Sequence, residues 1–279
     1  MIGQAQRVSE LERLKGKRSF TTSGKIITFT SGKGGTGKTF AALNTAYSLA
    51  QMGARTLLID FDTNLSNINI FLNYHPKTTV SDFLQKKQLF EEIIIKRDVN
   101  FDIVFGDSGK AEYPEMNEKL VDELMRGIEK VEQNYDFIII DTASGANVGI
   151  ISLLCRSEIN IIITTPEPTA VMDAYVIIKL LKVNGYNKEK YVVFNKCLSE
   201  EAGALAYNNL TNASTHFLGE SIDLLGTISY DQEVMHSIIT QELICKTNPY
   251  SETVRQLQNL SEKILKFKQL VNINQALAG

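Results

Sequence analysis

The sequence predicts an α/β fold: a doubly wound, predominantly parallel β-sheet flanked by helices, with a short N-terminal extension. Three observations predict it. Short runs rich in β-branched residues recur at 25–30, 56–60, 101–105, 136–141, 159–165, 190–195 and 224–228, and several are apolar throughout, as strands covered on both faces require. Longer stretches of helical character lie between them, near 38–52, 116–133, 168–184, 199–210 and 250–267. The first run, KIITFT, passes directly into a Gly-rich loop and then into an Ala-rich helix.

Composition narrows the function classes. The chain has 279 residues, 43% hydrophobic and 22% charged, which suits a soluble globular domain that needs no disulfide or metal to hold its core. Net charge is −3 and the pI about 5.8, so global charge gives no pull toward nucleic acid, and no nucleic-acid partner is expected. Cys155, Cys197 and Cys245 are far apart, form no CxxC pair, and are read as reduced thiols of a cytosolic protein. No secretory h-region opens the sequence, and no apolar run approaches the ~20 residues of a membrane span.

Residues 1–24 form the extension. Val8, Leu11 and Leu14 span one broad helical face, and GKRSFTTSG (16–24) reads as a linker. The folded domain is placed at 25–279. Its first strand leads into SGKGGTGKT (31–39), a G-x-x-x-x-G-K-[ST] phosphate loop. Gly32, Gly34, Gly35 and Gly37 let the backbone curl so that successive N–H groups face phosphate oxygens. The loop ends at a helix N-terminus, whose free N–H groups favour an anion. Lys38 can reach β- and γ-phosphates, and the Thr39 hydroxyl can ligate Mg²⁺, so ATP and Mg²⁺ are the expected ligands. The whole loop, Gly32, Lys33, Gly34, Gly35, Thr36, Gly37, Lys38, Thr39 and Phe40, is the expected nucleotide-binding segment.

The next strand, TLLID, ends in Asp60, with Asp62 close behind; a carboxylate there can hold Mg²⁺ or orient the attacking water. The strand DFIIID ends in Asp141, a run of apolar residues closed by a carboxylate that acts on Mg²⁺, commonly through water. The last three helical residues at issue, Leu260, Ile264 and Leu265, with Phe267, are spaced as a core-facing stripe.

These motifs resemble the MinD/ParA family of ATPases over residues 25–267. KGGTGKT is similar to the family's deviant phosphate loop, which implies that Lys33 contacts the nucleotide of a second subunit in an ATP-dependent homodimer. Asp60, Asp62, Leu65 and Asn67 match the switch I pattern DxDxGLxNxD, while Asn64 and Asn69 depart from it; the match implies a catalytic role for Asp62 beside Lys33 and Lys38. DTASG resembles switch II. TTPEPTAVMDAYVIIKLL (164–181) resembles the MinD and FlhG branches. VVFNKCLSE implies that Asn195 reads the adenine edge, which an amide suits by donating and accepting at once. GTISYDQEV resembles GxIPxDxxV, with Ser229 in place of Pro.

The opening GQAQRVSELERL resembles the activation segment DQAxxLRxL of the FlhG/FleN branch, with Gln4, Ala5 and Arg7 matching and Gly3 departing. That implies a regulator of flagellar number and placement, with an FlhF-type GTPase activated through Gln4, and with flagellar switch or transcription-regulator proteins as further partners. The implied place is the cytoplasm and the inner face of the cell membrane. The tail QLVNINQALAG lacks a basic face, so membrane contact is expected to be weak or conditional. The alternatives are a septum-placing MinD-type ATPase, a ParA-type partitioning ATPase, and an ATP-sensing scaffold with negligible turnover. An iron–sulfur carrier needs paired cysteines, and none precedes Cys155; a tyrosine kinase of this fold carries a C-terminal tyrosine cluster, and here the last tyrosine is the single Tyr250.

Overall fold

The computed structural model describes residues 24–62, 66–107 and 116–278, with the backbone alone beyond residue 267. The extension carrying Gln4, and the switch I positions Asn64 and Leu65, lie outside the described residues.

Eight strands form one sheet in the order β3-β4-β2-β5-β1-β6-β7-β8. They are β1 (Lys25–Thr30), β2 (Thr56–Phe61), β3 (Ile95–Asp98), β4 (Phe101–Val104), β5 (Phe137–Thr142), β6 (Ile159–Thr164), β7 (Glu189–Cys197) and β8 (Asp223–Ser229). All neighbours pair in parallel except β3 with β4, an antiparallel edge hairpin with a register shift between Lys96 and Asp98. The sequence reading missed β3. Its residues IKRD are charged and only part-buried, so no apolar run marks them.

Successive residues of the central strands serve opposite faces, as a period of two demands. Ile26, Leu57, Ile59, Ile138 and Ile140 enter one core. Ile27, Phe29, Leu58, Phe137 and Ile139 enter the other. The first core is closed by α3 (Val80–Leu84), α4 (Glu118–Val131), α5 (Val148–Arg156), α6 (Pro168–Val183) and α7 (Glu200–Ala213). The second is closed by α1 (Lys38–Gln51), the short α9 (Ile244–Thr247) and the C-terminal α10 (Glu252–Ala278). Two more short helices, α2 (Ile68–Phe71) and α8 (Gln232–Thr240), lie at the strand-exit end. This explains the continuous apolar runs: each strand has a helix layer on both sides.

Local signals set the helix starts. Asn117 Oδ1 accepts from Leu120 N at 3.2 Å, Asn147 Oδ1 from Ile150 N at 2.9 Å, and Ser199 Oγ from Ala202 N at 3.2 Å, each satisfying an N–H the helix leaves orphaned. Pro168 occupies the first turn of α6, where its missing N–H costs nothing. The expected C-terminal helix, near 250–267, begins at Glu252 and runs on to Ala278. Its stripe packs as expected: Leu260 and Ile264 are buried, and Leu265 and Phe267 lean on the same core. No helix among the described residues is long and apolar enough to cross a membrane.

Candidate functional site at the strand exits

The topology brings the carboxyl ends of β1, β2, β5 and β7 to one rim, and each exits with a residue singled out from sequence. β1 runs into the phosphate loop, and β2 and β5 pair so that Asp60 stands opposite Asp141. β5 also pairs with β1, setting Asp141 opposite Phe29, one residue before the strand's end. β7 carries Asn195.

The loop is a preformed cradle. Gly35 and Gly37 have φ of +80° and +86°, a left-handed region that L side chains rarely adopt. Gly37 is doubly constrained, because a Cβ there would stand 2.2 Å from Asn195 Nδ2. At Gly34 and Gly35 a Cβ would meet nothing within 4 Å, so this stretch of backbone is open to a ligand. Gly32 packs on α6, where a Cβ would come within 2.5 Å of the Asp173 carbonyl oxygen.

Lys38, the first residue of α1, is 5% exposed and reaches the fully buried Asp141, Nζ to Oδ1 2.6 Å. Burial pushes the Asp141 carboxyl up, and Lys38 partly offsets the shift. Asp60, also fully buried, is pushed up to about 7, first by burial and then by the neighbouring Asp141 charge. Asp60 is also the anchor of the turn that follows it. Its Oδ1 accepts from Asp62 N at 3.2 Å, and its Oδ2 from Ser66 Oγ at 2.6 Å and Ile68 N at 3.2 Å. Asp60 therefore sits behind the turn, whereas the half-buried Asp62 stands on the cavity wall.

Asn195 is buried with both ends of its amide engaged. Nδ2 donates to Thr36 O at 2.8 Å, and Oδ1 accepts from Lys196 N at 2.9 Å. It braces the phosphate loop as well as facing the cavity, with one N–H and one lone pair left for a ligand. Lys33 lies on the surface, bound to its own chain: Nζ is 3.2 Å from Glu167 Oε2 and 3.2 Å from Thr169 Oγ1, both at the start of α6.

The cavity beyond the loop encloses about 370 Å³. The phosphate-loop side is polar, lined by Gly34, Gly35, Thr36, Gly37, Lys38, Thr39, Asp62, Asn67 and Ser144; the side formed with α8 is mainly apolar, lined by Phe40, Phe71, Tyr230, Val234, Met235 and Ile238, with Ser229 and Asp231 also on the lining. Several of these escaped the sequence reading. Lys196, which lines the cavity with φ +57° and donates from Nζ to Gly35 O at 2.8 Å, could have been found from its place beside Asn195. Phe71 and the α8 residues carry no motif of their own; only the fold brings them here.

The residues fit a magnesium–nucleoside triphosphate. Asp141 Oδ2 and Thr36 Oγ1 are buried without a hydrogen-bond partner. Two buried carboxylates share a single lysine, a donor set short of one cation. Thr39 lines the cavity, and the buried Asp141 and Asp60 stand on the adjoining strands.

Known proteins agree with this geometry. The AAA domain family matches residues 24–191. The antiactivator FleN of Pseudomonas aeruginosa is 27% identical over 240 residues, covering 86% of this chain and 86% of that protein. The flagellum site-determining protein YlxH of Helicobacter pylori is 29% identical over 279 residues, covering 93% of this chain and 90% of that one. Among solved structures, the septum site-determining protein MinD of Pyrococcus horikoshii, complexed with Mg-ADP, has the same fold, with a TM-score of 0.71 at 24% identity over 86% of this chain and 96% of that chain. A deviant phosphate loop after β1, a carboxylate near the end of β5 and an Asn near the end of β7, in a chain with these relatives, place the protein in the MinD/ParA family of P-loop ATPases, in its FlhG/FleN branch.

Proposed function

We propose that the protein binds ATP with Mg²⁺ in the cavity at the strand exits, dimerises around it, hydrolyses it, and uses this cycle to regulate flagellar number or placement. The observation that carries the reading is the phosphate loop: Lys38 buried on Asp141, Asp62 on the cavity wall, and a second lysine, Lys33, at the surface. Its flagellar side rests on FleN and YlxH, whose names describe an antiactivator and a flagellum site-determining protein.

The chain's own residues divide the work. Backbone N–H groups of 34–39 and Lys38 would hold the phosphates, and Thr39, Asp141 and Asp60 would hold Mg²⁺. Mg²⁺ supplies charge neutralisation on the phosphate oxygens. Asp62 orients the attacking water. Asn195 and the apolar end of the cavity take the base. Lys33 acts across the dimer, where it offsets phosphate charge that would otherwise repel the facing carboxylates. To do so it must leave Glu167 and Thr169 of its own chain. Residues 1–15 dock on an FlhF-type GTPase as an amphipathic helix, with Gln4 as the activating side chain. The site of action is the cytoplasm, with weak or conditional contact at the inner membrane face, and flagellar switch or transcription-regulator proteins receive the signal.

The test is the mass of Asp62→Ala by light scattering with Mg-ATP, alongside phosphate release. Asp62→Ala should bind ATP, turn it over slowly and form a dimer; adding Lys33→Ala should return it to monomer. A monomer in both cases refutes the dimer. Undetectable turnover by the native protein, with and without the GTPase, favours the ATP-sensing scaffold.

A further inference from the structure

The far end of the nucleotide cavity hangs on the C-terminal helix. β8 ends at Ser229, and residues 229–231 then line the cavity. The family pattern places Pro at this position, where a fixed φ stiffens the turn. Here the stiffness has a different origin. Ser229 N donates to Gln256 Oε1 at 2.8 Å, and Gln256 Nε2 donates back to Ser229 Oγ at 2.9 Å. Both bonds need groups a proline lacks: an amide N–H and a hydroxyl. One turn earlier on α10, the fully buried Thr253 donates from Oγ1 to Asp231 Oδ2 at 2.9 Å. The other oxygen of Asp231 accepts from Glu233 N at 2.9 Å and so caps α8, whose Val234, Met235 and Ile238 form the apolar wall. Tyr230 N is tied to Cys197 O at 2.8 Å, so the segment's remaining freedom lies at residues 229 and 231, the two that α10 grips.

We propose that Gln256, supported by Thr253, is a positioning residue for the base end of the nucleotide, replacing the turn-stiffening proline and making base affinity depend on the seating of α10. This rests on the reading of the cavity as an ATP site. The described bonds of Gln256 go to Ser229 and, at 3.3 Å, to Glu252 Oε1 of its own helix, so its removal loosens the wall that receives the base and leaves the phosphate cradle intact. Two bonds of ordinary strength set the scale at about ten-fold in affinity.

The experiment is calorimetry on the full chain with two ligands, Mg-ATP and Mg-tripolyphosphate, which carries the phosphates without the base. The native protein must bind ATP more tightly than tripolyphosphate; if it binds neither, or both equally, the ATP-site reading fails, and this inference with it. Given that preference, Gln256→Ala should weaken ATP about ten-fold and leave tripolyphosphate within two-fold. Adding Ser229→Pro to Gln256→Ala should recover most of the loss, because proline restores stiffness without needing Gln256. Equal weakening of both ligands would show a general loss of fold and overturn the proposal. Unchanged ATP affinity in Gln256→Ala, or a double variant no better than Gln256→Ala alone, would overturn it too.

Discussion

Lys38 is the only cation paired with Asp141 in the described structure, and the pair is almost wholly buried, at 5% and 0% exposure. Lys38→Met keeps the apolar stem and removes the charge. The two adjacent buried carboxylates then have no paired cation among the described residues, although Asp60 keeps its three hydrogen bonds. Removing one partner of a buried pair costs about 3–5 kcal/mol. Protonation of Asp141 bounds that cost independently. Holding a carboxyl neutral at pH 7, against an unfolded value near 4, costs about 1.4 kcal/mol per unit, or roughly 4 kcal/mol. The two routes agree. The sign with pH follows: a carboxyl whose folded pKa is raised favours the fold below its unfolded value, and that advantage is lost as pH rises through the folded value. The deficit of Lys38→Met should therefore shrink to roughly 1.5 kcal/mol at pH 5, where protonation is cheap. Urea unfolding of the nucleotide-free protein at pH 7 and pH 5 measures both. A deficit that is pH-independent, or absent at pH 7, would refute the assignment of Lys38 and Asp141 as a buried charge pair. The nativelike protein also carries part of this dependence, since Asp60 is pushed up to about 7 beside Asp141 and loses its contribution as pH climbs from about 4 toward 7.

Three further outcomes are expected. Glu167→Gln removes from each protomer an exposed ion pair worth at most about 1 kcal/mol, so the ATP-driven dimer of Asp62→Ala should tighten, by no more than about thirty-fold in sedimentation; a weakened dimer would give Glu167 a role across the interface instead. Chelation with EDTA should leave the melting temperature of the nucleotide-free protein unchanged and abolish most of the shift caused by ATP, because the proposed Mg²⁺ binds together with the phosphates; a fall in the nucleotide-free melting point would reveal a resident metal. A synthetic peptide of residues 1–20 should raise the GTP turnover of an FlhF-type GTPase, and the Gln4→Ala peptide should not; silence from both the peptide and the full protein reopens the choice between flagellar and cell-division branches.

Much of the fold was legible because its strands are long, apolar and separated by helices of ordinary length. The central strand runs appear within a residue or two of their expected ends. What escaped was structure without its own sequence signature. α5, VGIISLLCR, is only nine residues long, too short a run for its helical period to stand out beside the neighbouring strands. The edge strand β3 is short and charged. The site divides the same way. Gly32 to Thr39 are legible from their spacing, and Asp141 from its place after an apolar strand run. Spacing leaves Asp60 and Asp62 interchangeable; the switch I resemblance gives Asp62 the catalytic expectation, and burial separates the anchor from the residue on the cavity wall. Gln256 lies 27 residues from Ser229, and nothing short of the packed helix connects them.

The phosphate loop and the turn bearing Asp62 are held in different ways. The loop is tied on several sides: Gly145 N donates to Ser31 O at 2.8 Å, Asn195 to Thr36 O, and Lys196 to Gly35 O, while α6 abuts Gly32. None of these bonds depends on the charge at the end of β5. The described contacts of the Asp62 turn converge on one carboxylate, Asp60, which takes Asp62 N, Ser66 Oγ and Ile68 N together. Hydrogen bonds to an ionised carboxylate are about twice as strong as those to a neutral one. Asp60 and Asp141 are paired across β2 and β5, and the charge on one raises the pKa of the other. The described bonds of the Asp62 turn therefore gather on one buried carboxylate, whereas those of the phosphate loop are shared among Ser31, Asn195, Lys196 and α6.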